Sequence, residues 1–245
     1  MSIYTPQELS GIDISRIPNH IAIIPDGNRR WAKKQKEGRS FGHSKGANAI
    51  IETIKAAKEL GVKTVTFYLF STENWNRSRL EISTLMLLFR QFLDRHSAEM
   101  LAEGVSVKTI GDIARLPKKT AKSIQHTCQL TSLNKSITMV LAFNYGARDE
   151  MCRAVQKIIE NHYEQNKQLE ITENLISQYL DTAPWGDPEL FIRSSGEMRL
   201  SNFLLWQLAY SEIYVTETLW PDFNKMELLK AIATFQSRKR RFGGK

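Results

Sequence analysis

The sequence predicts a single α/β domain built on a mainly parallel sheet that is covered by helices on both faces. Short apolar runs alternate with longer amphipathic stretches along the chain, and no linker, repeat or low-complexity segment interrupts them. Helices of about ten residues or more between successive strands act as right-handed crossovers, which make the strands parallel. The 245 residues, of which 42% are hydrophobic and 24% charged, can bury one large core.

The strands of the first half appear as short apolar runs, and the helices as apolar residues that recur every three or four positions. Gly61 and Gly104 directly follow two of the helical patterns. We expect them to end those helices, because glycine readily adopts the left-handed conformation of a helix terminus. The predicted elements are a strand at 20–25, a helix at 47–60, a strand at 62–70, a helix at 80–103 and a strand at 105–110.

The same alternation continues through the second half. Pro117 is suited to open a helix, since the first helical turn leaves its backbone N–H groups unpaired in any case. Residues 181–187 are predicted to form a loop that leaves the sheet. The remaining predicted elements are a helix at 117–130, a strand at 137–143, a helix at 147–163, strands at 190–193 and 213–216, and a helix at 225–237.

Basic residues are in excess and are clustered. Lysine and arginine outnumber aspartate and glutamate by 34 to 26, which gives a formal net charge of +8. The excess is concentrated in residues 29–39 and 238–245. Such clusters are either solvated faces or sites for nucleic acid, acidic lipid headgroups or phosphorylated small molecules. Composition alone does not choose among these.

The chain shows neither an export signal nor a membrane-spanning segment. Residues 1–8 lack the basic stretch and apolar run of a signal peptide. The longest uncharged runs fall short of the roughly 18 to 20 apolar residues that a spanning helix needs. We therefore predict a cytoplasmic protein. Cys128 and Cys152 have no disulfide or metal-ligand spacing, and both are predicted to be reduced and structural.

The most informative segment is residues 25–31, because it lies where a strand ends and a helix begins. Ligands of open parallel sheets bind at that edge. Gly27 permits a close approach to the backbone, and the first turn of the helix presents free N–H groups. Arg29 and Arg30 add positive charge, so the segment suits a phosphate group.

Asp26 is unexpected in a pocket for phosphate alone. Its carboxylate would repel the anion unless a hard cation such as Mg²⁺ bridges the two, so Asp26 predicts a divalent metal ion. The alternative interpretation is that Asp26 and Asn28 only cap the helix. The sequence contains no GxxxxGK[ST] motif, so a P-loop nucleotidase is not supported.

Two further polar clusters also follow predicted strands. Residues 71–77 come directly after the second strand, and residues 193–202 contain two arginines with nearby hydroxyl groups, a composition that suits a second diphosphate. Glu212 precedes another strand and is a candidate metal partner for Asp26. Each feature taken alone is also compatible with an ordinary surface loop.

Together these motifs resemble the cis-prenyltransferases, the isoprenyl diphosphate synthase family that includes bacterial undecaprenyl diphosphate synthase. The resemblance covers nearly the whole chain, and several long motifs match in order and spacing. The matching segments are residues 20–31 with Arg39, Gly42 and His43, then residues 70–77, 193–203, 209–214 and 220–223, and the ending 240–244.

The resemblance implies a catalytic domain over residues 18–245 that is preceded by an arm of residues 1–17. It implies Mg²⁺-dependent condensation of isopentenyl diphosphate with an allylic diphosphate, expected to be farnesyl diphosphate. The expected product is undecaprenyl diphosphate, a lipid carrier for cell-wall synthesis, housed during growth in an apolar tunnel between sheet and helices. No nucleic acid is expected as a partner, and membrane contact is expected only through the product.

The resemblance also assigns roles to residues. Asp26 and Asn74 would act in catalysis, and Asp26 and Glu212 would bind Mg²⁺. The tail residues Arg241 and Gly243 would reach into the neighbouring subunit's site, which implies a homodimer. The allylic site would contain Gly27, Asn28, Arg29, Arg30, Trp31, Arg39, His43, Ser71, Thr72, Glu73, Trp75 and Arg77. The isopentenyl diphosphate site would contain Arg193, Arg199, Leu200, Ser201, Arg241 and Gly243.

Leu69 is a departure from the long-chain members of that family. Val65, Phe67 and Leu69 share one face of the second strand, because side chains alternate along a strand. Long-chain members often have a small residue at the position that matches Leu69. A bulky side chain there predicts a shortened tunnel, so Leu69 is a candidate for setting product length.

Three other functions remain open at this stage. The chain could make a short- or medium-chain Z-prenyl diphosphate, or could serve as the non-catalytic binding subunit of a heteromeric prenyltransferase. Such subunits lose the aspartate and the pocket arginines, whereas this chain has both. A nucleic-acid-binding module is disfavoured, because carboxylates lie among the arginines and no recognisable nucleic-acid motif is present.

Overall fold

Six strands form one sheet in the computed structural model, which describes residues 2–165 and 169–238. Their order across the sheet is β3-β4-β2-β1-β5-β6, and neighbouring strands are parallel. Because β1 lies between β2 and β5, the chain order reverses at β1, and the carboxyl ends of these strands meet at the edge where such sheets bind ligands. The strands are β1 (His20–Ile24), β2 (Thr64–Ser71), β3 (Val105–Ile110), β4 (Ile137–Tyr145), β5 (Leu190–Arg193) and β6 (Glu212–Val215).

Helices connect the strands and cover the sheet. A large apolar core joins one face of the sheet to α3, α4, α5 and α8, and a smaller core joins the other face to residues 203–208 and the start of α6. The helices are α1 (Pro6–Leu9), α2 (Asn28–Lys34), α3 (Arg39–Glu59), α4 (Arg79–Ala102), α5 (Lys118–Leu130), α6 (Ala147–Gln165), α7 (Glu173–Tyr179) and α8 (Lys225–Ser237). Since both faces are covered, β1 is buried along its whole length, as its continuous apolar sequence predicts.

The structure confirms the single α/β domain, and the sheet is parallel throughout. Every predicted strand and helix is present, and β3, β5 and α8 have the predicted bounds. The predicted start of α3 is wrong, because the helix begins at Arg39 and not at residue 47. Glycines in the first two turns of α3 concealed this start, since glycine disfavours helix in an isolated chain. The short helix α7 was not predicted.

The N-terminal arm packs onto the domain. The side chain of Tyr4 is 2% exposed and belongs to the large core. The carboxylate of Glu59, at the end of α3, accepts hydrogen bonds from the backbone N–H groups of Ile3 and Tyr4. The Lys225 ammonium group, at the start of α8, donates to the Ile3 carbonyl. These contacts tie the arm to α3 and α8.

None of the helices in residues 2–165 and 169–238 combines the length and apolar character needed to cross a bilayer.

Candidate active site

A cavity of about 840 Å³ opens at the carboxyl ends of β1, β2 and β5. Its mouth is polar and contains five arginines, and its interior is apolar and lies between the sheet and the helices α3 and α4. The polar lining includes Asp26, Gly27, Asn28, Arg29, Arg30, His43, Ser71, Glu73, Asn74, Arg77, Arg193, Glu197, Arg199, Ser201 and Asn202. The apolar lining includes Ile24, Pro25, Ala47, Ile50, Leu69, Leu85, Leu88, Phe89 and Phe92.

Asp26 is held at the rim of this cavity by two hydrogen bonds. The Gly27 N–H donates to Oδ1 at 2.7 Å, and the Arg193 Nη2 donates to Oδ2 at 2.9 Å. Gly27 has φ +105°, and a Cβ there would lie 2.9 Å from a Leu219 methyl group, so the turn into α2 requires glycine. Gly27 is the N-cap residue, without a side-chain cap, so Asp26 does not serve as the helix cap.

Arg193, the last residue of β5, is the most deeply placed cation of the site. Its side chain is only 4% exposed and pairs with the Asp26 carboxylate. Its Nη1 donates to Ser201 Oγ at 2.8 Å and to the Arg199 carbonyl. A buried charge is costly unless it is paired and hydrogen-bonded, so these contacts fix Arg193 between β1 and the loop that follows β5.

Glu197 connects two arginines across the mouth. Its carboxylate lies 3.3 Å from Arg30 Nη2 and also contacts the Arg199 guanidinium. Arg30 also donates a 2.5 Å hydrogen bond to Ser195 Oγ. The arginines predicted for the allylic and isopentenyl diphosphate sites are therefore joined through one carboxylate.

A second carboxylate, Glu81 of α4, contacts Arg29 and Arg77. His43 of α3 also faces these arginines. Burial, together with the positive charges of Arg29 and Arg77, lowers the pKa of His43 to about 4. His43 is therefore neutral at pH 7, so in the ligand-free site it adds a hydrogen-bonding ring without adding charge.

The loop after β2 is hydrogen-bonded to the loop after β5. Asn74 Oδ1 accepts a hydrogen bond from the Ser71 N–H at 3.3 Å, within the short 3₁₀ helix Thr72–Asn76. Asn202 Nδ2 donates to Glu73 Oε1 at 2.8 Å. Asn202 and its neighbour Ser201 both have positive φ, at 61° and 49°, a conformation that costs energy for residues other than glycine. The hydrogen bond from Asn202 to Glu73 and the one from Arg193 to Ser201 hold this strained loop in place.

The residues that form the apolar interior belong to strands and helices that the apolar pattern of the sequence predicts. Leu69 is half-buried and lies on the same face of β2 as Val65 and Phe67, which belong to the large core. Across from it, α4 presents Phe89 and Phe92 to the cavity.

The chain matches a family model described as "Putative undecaprenyl diphosphate synthase" over residues 24–243. The chain belongs to the cis-prenyltransferase family. An isoprenyl transferase of Prochlorococcus marinus subsp. pastoris is 49% identical over 234 residues, which cover 95% of this chain and 86% of that relative. An isoprenyl transferase of Bacillus subtilis is 48% identical over 229 residues, covering 93% and 88% of the two chains. The chain is accordingly an isoprenyl transferase, an enzyme that elongates prenyl chains in cis.

The fold is also similar to that of two solved structures. The structure of lavandulyl diphosphate synthase from Lavandula x intermedia, in complex with dimethylallyl diphosphate, superposes with a TM-score of 0.90 at 36% identity and covers 94% of this chain and 100% of that chain. The structure of "a probable undecaprenyl diphosphate synthase" from Campylobacter jejuni gives a TM-score of 0.80 at 33% identity, with coverages of 93% and 99%.

Not every residue that the sequence singled out lines the cavity of this isoprenyl transferase. Trp31 is buried, and its indole N–H donates to Asp222 Oδ1 at 2.7 Å. The Trp75 indole N–H donates to Asn144 Oδ1 at 2.7 Å. Both indoles are therefore turned toward structural partners. Outside the cavity lining are Trp31, Arg39, Thr72, Trp75, Leu200 and Glu212, of which Leu200 lines a smaller adjoining pocket.

Glu212 is not brought to Asp26 within one chain. It is the first residue of β6 and pairs with Leu190, whereas Arg193, the partner of Asp26, lies three residues further along β5. Three residues span about 10 Å of strand, so the two carboxylates cannot share one ion in a single chain. Glu212 Oε2 instead accepts a 2.7 Å hydrogen bond from Arg238. Arg241 and Gly243 lie outside the described residues.

Sequence reasoning missed Glu81 as a site residue. Ser78 Oγ accepts a hydrogen bond from the Glu81 N–H, so Glu81 is the third residue of a helix that Ser78 caps. The spacing of Ser78 and Glu81 is a helix-start pattern that the sequence displays. That pattern places Glu81 in the first turn of α4 but does not reveal that this turn faces Arg29 of α2.

Proposed function

We propose that this isoprenyl transferase condenses isopentenyl diphosphate with farnesyl diphosphate in the cavity described above, in a Mg²⁺-dependent reaction that yields a Z-polyprenyl diphosphate, with undecaprenyl diphosphate as the expected product. One observation carries the proposal: an arginine-rich mouth leads directly into an apolar interior between β2, α3 and α4. An allylic diphosphate has the same division, with a charged head and an apolar tail.

The arginines fall into two groups that suit two diphosphates. Arg29, Arg30 and Arg77 lie on α2 and after β2, on the side from which the apolar interior opens. Arg193 and Arg199 lie on and after β5, with Ser201 beside them. We assign the first group to the allylic diphosphate, because it lies beside the apolar interior, and the second group to isopentenyl diphosphate. Each guanidinium group can donate two parallel hydrogen bonds to phosphate oxygens. The bound dimethylallyl diphosphate of the lavandulyl diphosphate synthase structure supports a diphosphate ligand here.

Asp26 fits a magnesium ion. Its carboxylate lies at the cavity rim with a side-chain exposure of 34%, so part of it remains open to a ligand. Mg²⁺ in proteins is commonly held by one or two carboxylates together with substrate phosphates. Within the described residues, no group of three or more His, Cys, Asp and Glu side chains forms a metal site. When bound, Mg²⁺ neutralises charge on the diphosphate and makes it a better leaving group.

The chemistry needs positioning and charge stabilisation, and the chain supplies both. The allylic C1–O bond breaks and the electron pair leaves with pyrophosphate, whose charge the arginines stabilise. The isopentenyl double bond then forms the new bond to C1, and one proton is lost from the resulting cation. Asn74, fixed by its bond to Ser71, is the residue that we assign to the condensation and proton-loss step. Holding both reactants in one cavity removes most of the entropic barrier to their encounter.

We further propose that the enzyme works as a homodimer. β6 is at the edge of the sheet, and Ile213 on this strand is 47% exposed. An exposed apolar edge strand is a surface that proteins usually cover. A role of Glu212 in metal binding would require a second chain to bring it to Asp26.

The test is to incubate the purified protein with farnesyl diphosphate, radiolabelled isopentenyl diphosphate and Mg²⁺, and to size the products after dephosphorylation. A ladder that ends near eleven isoprene units supports undecaprenyl diphosphate, and a shorter ladder supports a short- or medium-chain synthase. Asp26→Ala is expected to slow elongation at least about 100-fold, and chelation of Mg²⁺ should stop it. Elongation that is indifferent to both changes would contradict the proposed mechanism.

A further inference from the structure

Ser194 directly follows Arg193, and its buried hydroxyl group bonds to the backbone of Asp26. The residue is 0% exposed. The Asp26 N–H donates to Ser194 Oγ at 2.8 Å, and Ser194 Oγ donates to the Asp26 carbonyl, also at 2.8 Å. The Ile24 carbonyl, at 3.4 Å, is a more distant acceptor for the same hydroxyl. One hydroxyl group therefore contacts both of the peptide groups that flank the Asp26 side chain.

The register of the sheet brings Ser194 to this place. β1 and β5 are parallel neighbours, with Ile24 opposite Arg193, so the residues that follow the two strands leave the sheet side by side. Arg193 holds the Asp26 carboxylate, because its Nη2 donates to Oδ2 at 2.9 Å. Two consecutive residues at the end of β5 thus hold Asp26, the first by its side chain and the second by its backbone.

The ordinary role of a buried hydroxyl is to satisfy a backbone group that would otherwise lack a partner. Here that role is already filled. The Asp26 N–H also donates to the Ile24 carbonyl at 3.0 Å, and the Asp26 carbonyl also accepts from the Trp220 N–H at 3.0 Å. Neither group would lose its last partner if the Ser194 hydroxyl were removed. What the hydroxyl adds is a restriction on the movement of the Asp26 backbone.

We infer that Ser194 is a positioning residue that holds the Asp26 carboxylate where Mg²⁺ and a substrate diphosphate meet. The inference rests on the proposed function. The Asp26 side chain is 34% exposed, so packing fixes it only in part and its backbone must supply the rest. The position matters, because Mg²⁺ demands near-ideal octahedral geometry. Replacing residues that orient metal ligands typically costs about 10–100-fold in metal affinity or activity.

The test measures binding of inorganic pyrophosphate by calorimetry, with and without Mg²⁺. Without the metal ion the arginines bind the anion, so Ser194→Ala should bind it as the wild-type protein does. Mg²⁺ should tighten binding to the wild-type protein, and Ser194→Ala should need about 10-fold more Mg²⁺ for the same gain. Asp26→Ala should abolish the gain. Adding Ser194→Ala to Asp26→Ala should change nothing further, because Ser194 acts through Asp26.

Thr131→Val is the matched control. Thr131 is also 0% exposed, and its Oγ1 accepts from the Val107 N–H at 3.0 Å and donates to the Thr127 carbonyl at 2.8 Å. Valine keeps the shape of the side chain and removes the hydroxyl, at a position outside the cavity lining. Urea unfolding should show that the control destabilises the fold at least as much as Ser194→Ala does. Its Mg²⁺ requirement should equal that of the wild-type protein.

Elongation assays supply the second readout. Ser194→Ala should need about 10-fold more Mg²⁺ for half of its maximal rate and should recover most of its rate when Mg²⁺ is saturating. Ser194→Cys fills the same space with a weak hydrogen-bonding group. It should shift the Mg²⁺ requirement in the same direction, which keeps the test available if Ser194→Ala does not fold.

Two sets of results would count against the inference. If Asp26→Ala abolishes the Mg²⁺ gain but Ser194→Ala has the wild-type Mg²⁺ requirement, or Thr131→Val raises it equally, the inference about Ser194 is overturned alone. If neither Mg²⁺ nor Asp26→Ala changes pyrophosphate binding, the proposed role of Asp26 and this inference are overturned together.

Discussion

Leu69 is the residue expected to limit product length. It lines the apolar interior on β2, opposite the helices that would have to accommodate a growing chain. Replacing it with alanine removes side-chain volume from the cavity wall, so Leu69→Ala should make longer products than the wild-type protein. The measurement is the chain-length distribution of dephosphorylated products at equal turnover.

Leu87→Ala is the matched control for this change. Leu87 lies on the same helix as Phe89 but is 43% exposed, and it is outside the cavity lining. The control should leave the product distribution unchanged. An identical distribution for Leu69→Ala and the wild-type protein would show that another part of the interior sets the length.

His20, at the start of β1, gives the protein a pH-dependent stability. The ring is 2% exposed and bonds to the Gly186 carbonyl and to Thr66 Oγ1 at 2.9 and 2.8 Å. Burial lowers its pKa to about 4. Between pH 6.5 and 4 the unfolded chain therefore binds a proton that the folded chain excludes, and stability falls as the pH falls through this range.

The expected contribution is a loss of about 2–3 kcal/mol in unfolding free energy between pH 7 and 4.5. His20→Gln keeps a donor and an acceptor but does not titrate, so its loss over this range should be smaller by that amount. His126→Gln, at an exposed position on α5, is the control. Urea unfolding at the two pH values measures the difference, and equal losses for His20→Gln and the wild-type protein would rule out this origin.

At the residue scale, the sequence predicts where a side chain lies when its residue is at the end of a strand or just after it. Asp26 and Arg193 come immediately after or at the end of parallel strands, so their proximity follows from topology alone. Glu212 is the first residue of β6, so the same topology places it at the opposite edge of the sheet and away from Asp26. The indole N–H groups of Trp31 and Trp75 donate to Asp222 and Asn144, which are far away in sequence, and no local pattern predicts these contacts.

Among the elements, the contact between α2 and α3 depends on glycine. A Cβ at Gly42 would lie 2.2 Å from the Asn28 carbonyl oxygen, and backbone atoms cannot easily give way. We expect Gly42→Ala to lower the unfolding free energy by about 1–3 kcal/mol through overpacking. Because Asn28 begins the helix that carries Arg29 and Arg30, the same variant should raise the KM for the allylic diphosphate.

Gly38→Ala tests whether the effect is specific to the contact. Gly38 is the N-cap of α3, and the nearest atom to an added Cβ is Ser40 Oγ at 3.9 Å. Alanine is a poorer N-cap than glycine, but at a φ of −67° it also restricts the unfolded chain, which offsets about 0.4–1 kcal/mol, so the net change in stability should be small. Urea unfolding and steady-state kinetics of the two variants compare them directly, and a similar effect at both positions would contradict the steric argument.

The same glycines explain why α3 was predicted too short. Apolar periodicity identifies residues 47–60, where the helix packs on the core, but the first two turns of α3 contain Gly42 and Gly46 and pack against α2. A helix segment stabilised by close packing of backbones leaves little apolar signal in its own sequence. The short helix α7 was missed for a different reason, because it has only seven residues and none of them is buried.

For the whole molecule, the proposed homodimer predicts that the protein sediments at twice the mass of one chain. Replacing an exposed apolar residue of the edge strand β6 with a charge should weaken the dimer, so Ile213→Arg is expected to shift the sedimentation profile toward monomer and to reduce elongation. Leu133→Arg, at a position that is 88% exposed after α5, is the control and should leave the dimer intact. A wild-type protein that sediments as a monomer at all concentrations would contradict the proposal.

The fastening of the N-terminal arm to α8 has a consequence for synthesis. The Tyr4 hydroxyl donates to the Lys225 carbonyl across 221 positions of the chain, and Gln236 exchanges hydrogen bonds with Asp13. At roughly 5–20 residues per second, a ribosome adds the residues between Tyr4 and Lys225 in about 10–40 s. The first strand made, β1, also waits for β5 to pair with its second edge. The nascent chain therefore spends this interval with Tyr4 and one edge of β1 uncovered, and such apolar side chains and unpaired strand edges are prone to aggregate.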